Sequence, residues 1–420
     1  MNRCWSMKRY LPFWCCYLHQ GMITALSLQG IVAYFRYAGM DLAQLSWLSL
    51  CMLPWVAKFM WAPWGERHAL PLRGTPYLGS LVLLQLAMAL LLAGMAWCVP
   101  GTSIGSILVL LILLSVLSAS HDIYADGMTI CSTNASTRPY ANVAQVGGSY
   151  LGILFGSFAF LLLAQYLGWS RAFLGMAALS VLLLLPLLLP PLLRKPAQCQ
   201  PDVARRSAHL NLSGIQAMWP ALALTALYYP AMRGVLALQT VILVDQGQSS
   251  HALGPTMFVY STIASGIGVL LGGWLAKRLG ALRCLLPVMA LQAALAMLLA
   301  LGYSYYALRT WLLLFAVVNV AAAIGFVTLY NVLMGQVRAQ QPASDYALLQ
   351  SVDAALSMLM MLAALRLSNQ IGYQCVLALL ALLGIASLWL VSHLLRQLVP
   401  QLLSQVSTAV AATSHERHHG

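Results

Sequence analysis

The 420-residue chain is predicted to be an all-α membrane protein, with twelve transmembrane helices in two six-helix halves. Three observations predict this fold class. Hydrophobic residues make up 61% of the sequence and charged residues 7%, with a mean hydropathy of +0.81, a composition that excludes an ordinary soluble domain. Apolar stretches of roughly 20 residues, the length that crosses a bilayer, recur from one end to the other. The longest internal polar stretch, RKPAQCQPDVARRSAHLNLS at 194–213, falls near the middle, with six apolar stretches on each side.

The elements follow in order. The first half spans about 11–35, 44–62, 78–98, 104–126, 141–165 and 172–193; the second spans about 214–243, 255–275, 284–303, 309–336, 346–368 and 374–395. The first span follows Lys8 and Arg9 and lacks a small-residue cleavage site, so it is expected to stay in the membrane. The second leads into the loop WAPWGERHALPLRG, and the fourth ends in SASHDIYADGMTI. The fifth and eighth carry glycines at four-residue spacing, Gly148, Gly152 and Gly156, then Gly268 and Gly272, which allow close helix approach. The seventh is interrupted by Pro220 and Pro230. Its prolines lack the amide proton that a continuous helix needs. The domains expected are a half at 1–193, a linker at 194–213, a half at 214–396 and a tail at 397–420.

Positive charge orients the bundle, since cytoplasmic loops retain Lys and Arg. With the N-terminus inside, sixteen basic residues fall in cytoplasmic segments; only Arg36, Arg171 and Arg309 fall outside, and Lys58, Arg233 and Arg366 lie within spans. Both termini are therefore expected in the cytoplasm. The net charge of +13 reads as topology and attraction to anionic lipid rather than nucleic-acid binding. Nine cysteines without a C-x-x-C pair read as small hydrophobes, not as disulfides or metal ligands. No phosphate-binding loop, G-x-S-x-G or H-E-x-x-H is present, so no enzyme, cofactor or resident metal is expected, and transport would draw on an ion gradient.

The motifs resemble a known family. The loop after the eighth span, GGWLAKRLGALR, resembles the cytoplasmic signature of major facilitator transporters through Gly273, Lys277, Arg278, Gly280 and Arg283. It departs at Lys277, where an acid is usual. Lys58, Phe59, Trp61 and Pro63, with Ser120, Asp122, Ile123 and Asp126, resemble the branch containing muropeptide permeases, acetyl-CoA transporters and siderophore importers. His121 stands where that branch usually has Gln, adding a group that titrates or binds metal. The Asp126–Gly127 pair resembles the siderophore importers, whereas muropeptide permeases favour Asp–Ala.

Asp122 and Asp126 share one helical face, and intramembrane acids usually face an aqueous cavity. The alternative is a helix ending near Ala119 with both acids solvated. The resemblance implies that the first, fourth, seventh and tenth helices line the cavity, which brings in His19, Gln20, Tyr228, Tyr229, Arg233 and Asn331 as substrate or proton residues. Tyr228, Tyr229 and Arg233 flank the Pro230 break and suit an anionic, ring-containing ligand. A kink filled by packing is the alternative. Lys58 and Asp353 are expected to pair as a gate between the second and eleventh helices, the alternatives being a snorkelling lysine and a helix cap. The expected function is proton-coupled import of a siderophore, or its iron or zinc complex, across the bacterial inner membrane. A muropeptide or other anionic-metabolite permease is the rival, and a non-transporting sensor or partner of siderophore synthesis is the rival of another class.

Overall fold

A computed structural model describes residues 10–40, 47–98, 104–188, 215–216, 218–246 and 258–416. The expected linker at 194–213 lies outside them. Among the described residues every regular element is helical, apart from an isolated bridge between Leu72 and Thr75.

Twelve helical units account for the described chain. Helix α1 runs from Leu11–Ala25 through a π turn at Leu26–Gly30 to Ile31–Tyr37. Helix α2 covers 47–67 in short pieces, because Pro54 and Pro63 each begin a new segment, Leu53–Ala57 and Ala62–Arg67, with 3-10 turns at Trp47–Met52 and Lys58–Met60. Then come α3 (Leu78–Met95), α4 (Ile104–Ser132), α5 (138–167, with a π turn at Phe155–Ala159) and α6 (Trp169–Leu188). The second half has α7 (Trp219–Tyr228 and Pro230–Asp245), α8 (258–280), α9 (Ala281–Leu301), α10 (Leu308–Gln336), α11 (342–371) and α12 (373–416).

Eight continuous helical stretches are long and apolar enough to cross a bilayer. Two of these hold two spans each. They turn at Gly280 (φ 87°) and Gly372 (φ 80°), left-handed positions that favour glycine. The interrupted α1 and α2 supply the other two predicted spans. Two expected boundaries change. Helix α4 continues six residues past 126, to Ser132, carrying both acids inside it, and α12 remains helical through Glu416 where a tail was expected.

Small residues set the packing. A Cβ on Gly152 would collide with the Leu18 carbonyl and Met22 amide of α1, and one on Gly156 with the Met22 carbonyl. Gly268 and Gly272 similarly bring α8 onto α10 at Val320 and Ile324. Without a hydrophobic drive between helices in lipid, such close approach is a main source of association.

The two halves share core at one end. Ala343 and Ala347 of α11 pack into a first-half cluster with Tyr17, Tyr77 and Met128, while Ile130, Val143 and Val146 join the second-half core. This end carries Arg67, Arg73, Arg138, Lys277, Arg278 and Arg338 and is called the basic end below.

Gly152→Val is expected to lower the melting temperature of the purified protein by several degrees, since overpacking costs about 1–3 kcal/mol or more. Gly266→Ala, with nothing within 4 Å of its added carbon, is expected to leave it unchanged. Comparable melting of the two variants would remove the glycine contact as a determinant.

Candidate functional site

The acids of α4 are interior groups. Asp122 and Asp126 are each 1% exposed, which overturns the alternative of solvated loop acids. Lys58, 2% exposed, is aimed at them by the 3-10 turn that interrupts α2, and it pairs with Asp122. Asp126 accepts from the Tyr17 hydroxyl at 2.7 Å and the Gln145 amide at 2.9 Å. Trp61 donates to Ser120 Oγ at 3.1 Å, two residues before Asp122. The residues read as a family signature in α2 and α4 therefore meet in space.

Lys58 also donates across the halves to Gln350 of α11. The expected pair of Lys58 with Asp353 is not formed, because Asp122 of its own half and Gln350, one turn before Asp353, take the ammonium instead. Other contacts tie the same end. Glu66 accepts from the backbone amides of Ala343 and Ser344 at 3.0 and 2.8 Å, from the Ser344 hydroxyl, and from the Tyr77 hydroxyl at 2.8 Å. A carboxylate there meets the positive end of the α11 dipole. Burial pushes the Glu66 carboxyl above its ordinary pKa, while the donors from Ser344, Tyr77 and Ala343 favour its charged form. Gln145 reaches Tyr346 Oη at 3.4 Å, and Lys277 sits 4.8 Å from the centre of the Tyr140 ring. This cation–π contact gives Lys277, the position that departs from the signature, a role between halves.

Gly127 has a packing explanation. A Cβ there would lie 2.9 Å from Ala343 and 3.0 Å from the Tyr77 ring, so the absence of a side chain lets α4 approach α11. The Asp–Gly pair is thus part of the contact between halves.

In the second half, α7 breaks at Tyr229, as its proline predicts. Arg233, whose side chain is 26% exposed, donates to Asp353 Oδ2 at 2.7 Å. Its guanidinium lies 5.0 Å from the Tyr229 ring centre and 4.3 Å from that of Phe326. Tyr330 donates to the same Asp353 oxygen at 3.1 Å. Tyr228, itself buried, lies on another side of α7, where it lines a small pocket with Met232, Met289, Gln292 and Leu380. The break thus brings Tyr229 to Arg233 and sends Tyr228 elsewhere.

The remaining candidates scatter. His19 and His121 are fully buried with ring centres 5.3 Å apart, and His19 Nε2 is 2.6 Å from Ser180 Oγ. Both ring nitrogens of His121 lack a hydrogen-bond partner. Among the described residues no three His, Cys, Asp or Glu side chains gather as a metal site requires, so His121 acquires no ligand set. Gln20 is half-buried on α1, and Asn331 is buried on α10 with its amide nitrogen unpartnered. Cys131 is disulfide-bonded, correcting the reading of the cysteines as uniformly unpaired; spacing along a chain does not reveal such neighbours. Gln145, Tyr346, Gln350 and Glu66 were missed by sequence reasoning. Of these, only Glu66 lies in a stretch that a motif marked.

Lys58→Ala, which strands Asp122 buried and unpaired, is expected to cost about 3–5 kcal/mol, and the double variant with Asp122→Leu to regain most of it. Melts of the purified variants measure both. Exchanging the charges of Lys58 and Asp353 is expected to rescue nothing.

The comparisons with known proteins agree with this architecture. Residues 13–352 match the family model described as Major Facilitator Superfamily. The anhydromuropeptide permease of Escherichia coli (strain K12) is 28% identical over 282 residues, which cover 65% of this chain and 56% of the permease; the chain thus spans little more than half the length of that relative. A Rickettsia conorii protein named as an AmpG 4 transporter is 22% identical over 89% of this chain and 93% of its own length. Among solved structures, the human organic anion transporter MFSD10 (TETRAN) superposes with a TM-score of 0.65 at 17% identity, over 92% of this chain and 98% of its own. The transporter FucP in its outward conformation gives 0.65 at 13% identity, over 92% and 98%. At such identities the likeness is one of fold. With more than two-thirds of its length matched to the family model and the helical architecture in place, the chain belongs to the Major Facilitator Superfamily.

Proposed function

We propose that this transporter is an ion-gradient-driven permease of the bacterial inner membrane for an anionic metabolite of the muropeptide class, with both termini in the cytoplasm. The observation that carries the reading is Arg233. It is a permanent cation held by Asp353, stacked over two aromatic rings and still partly exposed. A guanidinium so fixed can meet a ligand carboxylate at its free edge, while Tyr229 and Phe326 offer apolar faces to a sugar or ring. The relatives named as muropeptide permeases support the same class.

The siderophore reading has less support, since the relatives whose names state a substrate include muropeptide permeases and His121 gathers no ligand set among the described residues. It stays as an arm of the test. The gradient invoked is one of protons, with buried acids in both halves as candidate carriers. A non-transporting sensor is separated by whether ligand crosses the membrane.

Proteoliposomes containing the protein are given a labelled anhydromuropeptide, a ferric phenolate siderophore, or the free metal, with and without an inward proton gradient. Gradient-dependent entry of the muropeptide alone is expected, abolished by a protonophore. Arg233→Lys keeps the charge but loses the planar fork, and its expected uptake is about ten-fold lower. Arg233→Ala is expected to fall to background. Entry of the loaded siderophore alone would reverse the substrate assignment, and entry of none of the three would refute it.

A further inference from the structure

Three side chains of α11 form a stripe along one face. Tyr346, Gln350 and Asp353 are spaced by four and three residues, so they stand above one another on the helix, with about 6 Å and 4.5 Å between successive levels. Each faces a different part of the site. Tyr346 meets Gln145, Gln350 meets Lys58, and Asp353 meets Arg233. One helix thus touches both the acid cluster of the first half and the guanidinium of the second.

The acid cluster is unbalanced. Lys58 is paired with Asp122, whereas the donors bonded to Asp126 are a phenol and an amide, both neutral, and its second oxygen is buried without a partner. A second carboxylate charge at this depth would be uncompensated, and such groups neutralise by taking up a proton. The groups facing Asp126 from every packed helix are Cys16 and Tyr17 of α1, Lys58 of α2, Asp122 of α4, Gln145 of α5, and Tyr346 and Gln350 of α11. Lys58 is the one cation among them.

We propose that Asp126 is the proton-binding carboxyl of this transporter and that Gln350 couples its proton to the contact between the halves. With Asp126 protonated, Lys58 is free to bridge Asp122 and Gln350, as observed, and the basic end is held shut. An ionised Asp126 is a stronger acceptor than a neutral amide. It draws Lys58 towards its own half, weakens the bond to Gln350 and loosens α11, whose next turn carries the partner of Arg233. Proton release and opening at the basic end are thereby one linked equilibrium. The inference rests on the gradient-driven reading, and its test needs no substrate.

The distance between spin labels on a ketone-bearing unnatural residue at the exposed positions Ala135 and Gln340, in the loops after α4 and α10, reports opening at the basic end. In the wild type in lipid nanodiscs, the long-distance population is expected to rise several-fold between about pH 5 and about pH 8. Asp126→Asn should stay short at both pH values. Gln350→Leu, which leaves Lys58 without an acceptor in the other half, should stay long at both pH values, and Gln350→Glu, which gives Lys58 a charged partner there, should stay short at pH 8. Opposite shifts from two changes at one position cannot come from misfolding. A wild type without a pH response, an Asp126→Asn variant that responds as the wild type does, or Gln350 variants that both behave as wild type would each overturn the proposal. Proton-driven uptake with a pH-insensitive distance would refute this coupling alone; absent proton-driven uptake with a pH-dependent distance would refute the gradient-driven reading alone.

Discussion

The ammonium of Lys58 is the charge around which the bundle is arranged. A buried lysine is costly in a medium that cannot solvate it, and the cost is offset only where carboxylates and polar groups converge on it. Here they arrive from α4 and, across the interface, from α11. The broken course of α2 follows from the same need. Its two prolines divide the span into short segments, and the 3-10 turn at Lys58–Met60 starts at the lysine itself.

Contacts between the halves at the basic end combine three physical devices. A carboxylate, Glu66, meets the free amides at the start of α11; a cation, Lys277, lies on the ring of Tyr140; and Gly127 and Gly273 permit close approach where a side chain would hold the helices apart. Two of them share partners, since Ala343 and Tyr77 meet both Glu66 and Gly127. None is a covalent or wholly apolar lock, as suits an interface that, on the function proposed, parts and re-forms.

Composition and hydropathy made the architecture legible, because a bilayer imposes its thickness on every span. The Pro230 break and the interior acids could also be read, since a missing amide proton and a buried charge have consequences that do not depend on distant residues. What stayed hidden were partners. Lys58 and Asp353 were each recognisable as residues out of place in a membrane, but a one-turn difference on α11 decides that Gln350, not Asp353, receives the lysine. Gln145 and Tyr346 are ordinary residues until the fold brings them beside Asp126. Gly127 shows the converse case, in which a residue read for ligand preference also serves the packing against a helix some 216 residues away (Ala343).

The left-handed glycine at 372 keeps α11 and α12 from being one rigid rod. Helix α11 is keyed to its neighbours at several levels, so inserting or deleting a single residue would rotate the rest of it by about 100° and turn each polar side chain away from its partner. Beyond Gly372 the polar register gives way to an apolar one. The joint thus separates two registers, α11 fixed by polar partners and α12 by apolar packing of Val376, Leu377, Leu380, Ala381 and Val391, so a length change inside either helix misaligns the contacts of that helix while the other keeps its own.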